Sequence, residues 1–165
     1  MPHFDPKAYG ETVAAMFALD GDGRRLIPLI RSRCSSERAY TLLKASEPAT
    51  LFPGSRAPEA AMAGLYVYFS CWDEAHETAQ NIETPEGSYW HAIVHRQEPD
   101  AGNASYWFRQ VGEHPIFPDL AKVAAIERWD PFAFIRQCQQ AAPGALELQR
   151  TEWQLLFDYC AAKKR

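Results

Sequence analysis

Twelve prolines cut this chain into short segments, and the segments between them repeat their apolar residues at spacings of three and four. Proline lacks an N–H and clashes inside a helix, so it belongs at helix starts and in connections. Asp5-Pro6 and Asp130-Pro131 each place a capping carboxylate before a proline in the first helical position. This punctuation predicts helices over 6–19, 36–45, 58–81, 88–97, 118–127, 131–141 and 146–163, with one or two further turns over 104–111. Leu51 to Arg56, with Pro53 and Gly54, reads as a loop. No run alternates with period two. The best strand candidate, Tyr66 to Phe69, lies inside the longer helical spacing of Met62, Leu65, Phe69, Trp72 and His76. The expected fold is all-α: one domain over 1–165, an irregular bundle of about six or seven helices. Its centre is an antiparallel hairpin of the third and fourth helices, with the Trp90 side of the fourth facing inward and the termini peripheral.

Composition fits that reading. A hydrophobic fraction of 47% in 165 residues supports a sizeable core. The formal charge is −4 and no basic block occurs, so no nucleic-acid partner is expected. Lys163, Lys164 and Arg165 form a short basic end that suits the C-terminus of a helix. The N-terminus lacks a basic, then apolar, leader, and no apolar run approaches membrane-spanning length. The expectation is a cytoplasmic chain with no membrane partner. Cys34, Cys71, Cys138 and Cys160 include no Cys-x-x-Cys pair and are expected to be free thiols. Asp20-Gly-Asp-Gly lacks the remaining ligands of a calcium loop.

The chemistry concentrates between Trp72 and Pro115. On a helix of about 100° per residue, His91 and His95 stack on one face at i and i+4, with Glu98 close to the same line. His76 continues the apolar stripe of the third helix, beside Asp73 and Glu77. A short turn near Thr84 and Pro85 reflects His76 onto the stretch from His91 to His95, so three imidazoles are expected to converge. Three neutral imidazoles with an open position suit a divalent metal such as zinc, and nickel, iron or copper also accept this donor set. Two other readings stand beside it: a metal-free functional histidine cluster, and a structural one in which His76 and His95 donate to nearby carboxylates.

The following stretch mixes aromatics with ligand-recognising groups. Arg109 suits a carboxylate or phosphate, Asp100 and Asn103 suit polar substrate groups, and Tyr106 and Trp107 offer flat walls. His114 is a candidate proton carrier. The bland alternative packs Tyr106, Trp107 and Phe108 in the core and pairs Arg96 and Arg109 with Glu98 and Asp100. Taken together, Trp90-His91-x-x-x-His95-Arg96-x-Glu98, Asn103-Ala104-x-Tyr106-Trp107-Phe108-Arg109 and Gly112-x-His114-Pro115 resemble a signature in a family of uncharacterised microbial proteins. The likeness covers about the middle quarter of the chain. It implies the location of a site and no reaction.

These readings lead to a metal- or histidine-dependent enzyme, a hydrolase or lyase acting on a small polar molecule. His91, His95, Glu98 and His114 are its catalytic candidates, and His76, His91 and His95 its metal ligands. Asp100, Asn103, Tyr106, Trp107 and Arg109 are its substrate contacts. The alternatives are a non-catalytic module for an anionic or carbohydrate-like ligand, and a protein-interaction domain. An apolar stripe can also bury across a homodimer.

Overall fold

Local sequence signals account for the helices of the computed structural model, which describes residues 3–164. Met1, Pro2 and the final basic residue, Arg165, lie outside the described residues. The fold is all-α, with ten α-helices and no strand among the described residues. They are α1 (Glu11–Phe17), α2 (Glu37–Lys44), α3 (Pro48–Leu51), α4 (Pro58–Tyr68), α5 (Trp72–Gln80), α6 (Pro85–Gln97), α7 (Ala101–Val111), α8 (Phe117–Val123), α9 (Pro131–Gln139) and α10 (Ala145–Ala161). Side chains of Ser36, Thr84, Asp100 and Asp130 accept backbone N–H groups at the starts of α2, α6, α7 and α9.

The helix count exceeds the expectation at three places: Pro48–Leu51 adds α3, the turns expected over 104–111 are the full helix α7, and the helix expected over 58–81 is two helices. Ser70 adopts a left-handed backbone conformation (φ 60°). The Ser70 N–H donates to the Val67 carbonyl and the Cys71 N–H to the Tyr66 carbonyl, which is the Schellman pattern that closes a helix. Arg25 strengthens the stop: its guanidinium donates to the Tyr68 carbonyl at 2.6 Å and to Ser70 Oγ at 3.0 Å. Glycine or asparagine usually marks this left-handed position, and a serine conceals it. The break redirects α5 so that Trp72 and His76 lie against α6. At the N-terminus, Pro6–Tyr9 is a 3-10 turn and the α-helix begins only at Glu11. Pro48–Leu51, read as loop at its end, forms a short helix.

Helix α6 is the axis of the molecule. It packs on α4, α5, α7 and α9, and every residue from Tyr89 to Gln97 is buried. Burial on all sides goes further than the one inward face expected around Trp90. Close approach to α4 requires Gly64, where an added Cβ would lie 2.7 Å from the Trp90 ring. Gly87 serves the turn before α6 in the same way: a Cβ there would sit 2.2 Å from the Ile82 carbonyl oxygen.

The same core continues onto α10, where Trp153 and Phe157 stack at 4.9 Å. Phe4, Phe17 and Tyr68 pack around them. Phe4 therefore ties the N-terminal segment into the core, where a peripheral terminus was expected.

The expectation of four free thiols is corrected by the fold. Cys34 and Cys71 form a disulfide across 37 residues, while Cys138 and Cys160 are free and buried. The segment carrying Cys34 lies across the new end of α4, since the Ser35 N–H donates to the Phe69 carbonyl at 2.7 Å. Wide spacing in sequence gives no sign of this meeting.

Arg96 and Glu152 lock α6 to α10. Both side chains are 0% exposed. The guanidinium donates twice to the carboxylate, at 2.7 and 3.2 Å, and once to Gln149 at 3.1 Å. The Tyr89 hydroxyl donates to the same carboxylate at 3.0 Å. Arg96 therefore does not pair with Glu98. Burial pulls the guanidinium towards losing its proton, but the Glu152 carboxylate outweighs this and holds its pKa above the ordinary value. Removing one partner leaves the other charge unpaired in the core. Glu152→Gln and Arg96→Met should therefore each cost about 3–5 kcal/mol of unfolding free energy in urea, and the Arg96→Met/Glu152→Leu double variant should recover much of that loss. Strict additivity of the two single losses would contradict the assignment.

Candidate metal centre

Two helices bring three imidazoles together. His91 and His95 are one turn apart on α6, and His76 faces them from α5 across residues 81–84. His91 Nε2 lies 3.2 Å from His76 Nε2. One ring nitrogen from each of the three lies within 4.8 Å of the others. Two nitrogens bound at 2.0–2.1 Å to a tetrahedral ion stand about 3.3–3.4 Å apart, so the His76–His91 separation already has the span of a zinc edge.

The surroundings preset the rings. His95 Nδ1 lies 2.9 Å from a Glu98 carboxylate oxygen. In the tautomer that carries its proton on Nδ1, His95 donates to Glu98 and keeps a lone pair on Nε2. This is the carboxylate–histidine arrangement that orients metal-ligating imidazoles. Trp107 stacks on His91 with ring centres 4.0 Å apart, and Trp72 lies parallel to His76 at 5.2 Å. The Trp72 indole N–H donates to the Val94 carbonyl at 2.7 Å, which fixes that ring to α6. On the outer side, Arg31 sits 4.1 Å above the Trp72 ring and pairs with Asp73 at 2.7 Å.

Burial, reinforced by His95 and His76, pushes the His91 pKa down to about 4. Burial also lowers that of His76, with His95 adding to the effect while Glu98 and Asp73 oppose it. Both rings are neutral at pH 7, the state that binds metal.

The remaining candidates separate. Glu98 belongs to the cluster through His95. Trp107 walls it, and Tyr106 stands edge-on to Trp107 while 48% exposed. Phe108 is core. Asp100 caps α7 by accepting the Asn103 N–H at 3.0 Å, and the Asn103 side chain is exposed. Arg109 lines a separate cleft of about 640 Å³ with Arg128, Trp129 and Phe132. His114 is not brought to the triad. Its Nε2 lies 3.1 Å from Glu86, and its Nδ1 accepts the Ile116 N–H at 3.3 Å, so both nitrogens are occupied. That hydrogen bond is the main reason the Glu86 carboxyl lies below its usual range, against the opposing effect of burial.

Sequence reasoning missed two parts of this site. Trp72, four residues before His76 on one helix, carried a signal as a stacking partner. Arg31 carried none, because no local pattern links it to α5.

No protein-family model matches the chain, and no curated protein or solved structure matches it either.

The lowered His91 pKa gives a signed expectation. An unfolded histidine takes up its proton near pH 6.5 and the folded His91 near 4, so the unfolded chain binds more protons between those values. Stability of the metal-free protein should be complete above about pH 6.5 and fall as the pH drops towards 4. Urea midpoints measured across this range should show the fall, and His91→Asn should flatten it. An unchanged slope in His91→Asn would place the titration elsewhere.

Proposed function

We propose that this chain is a divalent-metal-dependent enzyme, a hydrolase or lyase acting on a small polar molecule in the cytoplasm. The observation that carries the reading is the meeting of His76, His91 and His95 with Glu98 behind His95. Three imidazoles on two helices, His76 and His91 among them neutral, leave at least one coordination position for water or substrate. His76, His91 and His95 would hold a divalent ion, which would supply Lewis-acid polarisation of a bound group.

The chain's own residues supply the rest. His76 and His91 present lone pairs because burial keeps them neutral. Glu98 orients His95 and, with a half-exposed side chain, is placed to take a proton from solvent-derived groups at the rim. Trp107 and Trp72 hold two of the rings by stacking and exclude water from their faces. Tyr106, at the outer edge of Trp107, offers a hydroxyl to a substrate.

One observation favours a second reading, a binding module for an anionic ligand. The cleft sets the Arg109 guanidinium against the aromatic walls of Trp129 and Phe132, while Arg128 in the same lining is paired with Glu113. That reading requires an anion to raise the melting temperature through Arg109.

Calorimetric titration of tag-free, metal-stripped protein with zinc tests the proposal. One equivalent should bind. His91→Ala should weaken binding at least about tenfold, consistent with the loss of a direct ligand. Zinc-loaded protein should also hydrolyse an activated ester, with the rate lost on chelation and in His95→Ala. A folded wild-type protein that binds no zinc, nickel, iron or copper would overturn the proposal.

A further inference from the structure

Cys34, Cys71 and Glu74 form a second cluster of ligating groups, and nothing in the reading of the histidine centre uses it. One ligand atom from each lies within 4.8 Å of the other two. Cys71 stands at the N-cap of α5 and makes no side-chain capping bond. Glu74 follows three residues later, one turn on, so the two side chains share a face of the helix. The nine-residue α5 directs its positive end at Cys71, which favours a thiolate there.

Glu74 is the unexplained member. It is half-buried beside the two sulfurs, and its carboxylate makes no hydrogen bond or ion pair among the described residues. A disulfide offers a carboxylate no donor, so Glu74 has no bond to make with the two sulfurs while Cys34 and Cys71 are joined. The same carboxylate beside two thiolates completes a three-ligand set for a cation.

We propose that Cys34, Cys71 and Glu74 are a redox-gated metal site that takes a thiophilic divalent cation of the zinc type once the disulfide is reduced. The balance is simple. The Cys34–Cys71 bond takes two electrons and two protons from a cellular dithiol, which becomes a disulfide, and the two thiols then lose two protons as the cation binds. A tetrahedral ion about 2.3 Å from each sulfur holds the sulfurs about 3.8 Å apart, a separation that side-chain rotation can supply. The fourth position faces solvent, because Cys34 and Glu74 are only half-buried. Backbone bonds hold the Cys34 segment in place independently of the sulfurs: the Ser35 N–H donates to the Phe69 carbonyl and the Arg31 N–H to the Gln97 carbonyl. Opening the disulfide therefore leaves both cysteines near Glu74. The site stands or falls independently of the histidine centre, although both use α5.

Cadmium is the probe, because thiolate ligation gives a near-ultraviolet charge-transfer band and imidazole ligation does not. Wild-type protein is reduced with a phosphine, freed of it under anaerobic conditions, and titrated. The band should grow to a plateau whose height corresponds to one thiolate-bound cadmium per chain, whatever the histidine centre takes up, and should be absent in the oxidised protein. Glu74→Gln, which keeps shape while removing charge, should weaken cadmium binding at least about tenfold. His91→Ala should give the same band as wild type, so failure of the histidine centre leaves this result unchanged. A reduced protein that develops no band, or a Glu74→Gln protein that binds cadmium as tightly as wild type, would overturn the proposal.

Discussion

The buried pair of Arg96 and Glu152 is the interaction on which the rest of the arrangement depends. Neither charge reaches water, so their mutual attraction and the bonds from Tyr89 and Gln149 must offset a desolvation cost of several kcal/mol per ion. Gln149 extends the lock, donating to the Ile27 carbonyl at 2.8 Å and so fastening the segment after α1. Phe134 of α9 lies against the guanidinium. One arginine thus fixes the rotation of α6 against α9, α10 and the segment around Ile27. A helix buried on every side has many apolar ways to pack, and a bidentate ion pair selects one. Arg96 adjoins His95 in sequence, so the rotation that satisfies Glu152 also sets the direction of the histidine face.

The histidine centre follows from two backbone constraints. Ser70 ends α4 and lets α5 set out in a new direction, and Gly87 allows the start of α6 to close on Ile82. Together they bring His76 to His91 at hydrogen-bonding distance. The stacked tryptophans then restrict the rings. Each ordered ring would otherwise lose conformational freedom upon binding, so stacking it beforehand removes part of the cost of assembling a site. Electrostatics act in the same sense. Burial keeps His91 and His76 unprotonated, and the Glu98 carboxylate stands behind His95, where it orients the ring.

Much of this was legible in the sequence, and what was hidden has physical causes. Prolines and capping residues located the starts of α2, α4, α8 and α9, whereas Thr84-Pro85, which reads as a turn, and Asp100, which reads as a ligand group, in fact begin α6 and α7; the i, i+4 spacing with a short turn was enough to bring His76 to His91 and His95. The break at Ser70 was concealed because serine there adopts a conformation more usual for glycine, held by Arg25 from 45 residues away. The Arg96–Glu152 pair spans 56 residues. In sequence, Glu98 looks the nearer partner for Arg96, and only the three-dimensional path of α10 reveals the true one. His114 resembled a proton carrier by its place beside a loop, yet both of its nitrogens are engaged by Glu86 and Ile116. The Cys34–Cys71 meeting is likewise a product of tertiary folding, with no motif to announce it.

The central claim is that His76, His91 and His95 share one ion. Anomalous diffraction at the zinc edge, from crystals of the protein soaked in zinc, tests it most directly. The account predicts a single strong peak bounded by Nε2 of His76, His91 and His95, at about 2.0–2.1 Å from each. A well-ordered triad with no peak between its rings, while zinc occupies only other sites, would contradict it.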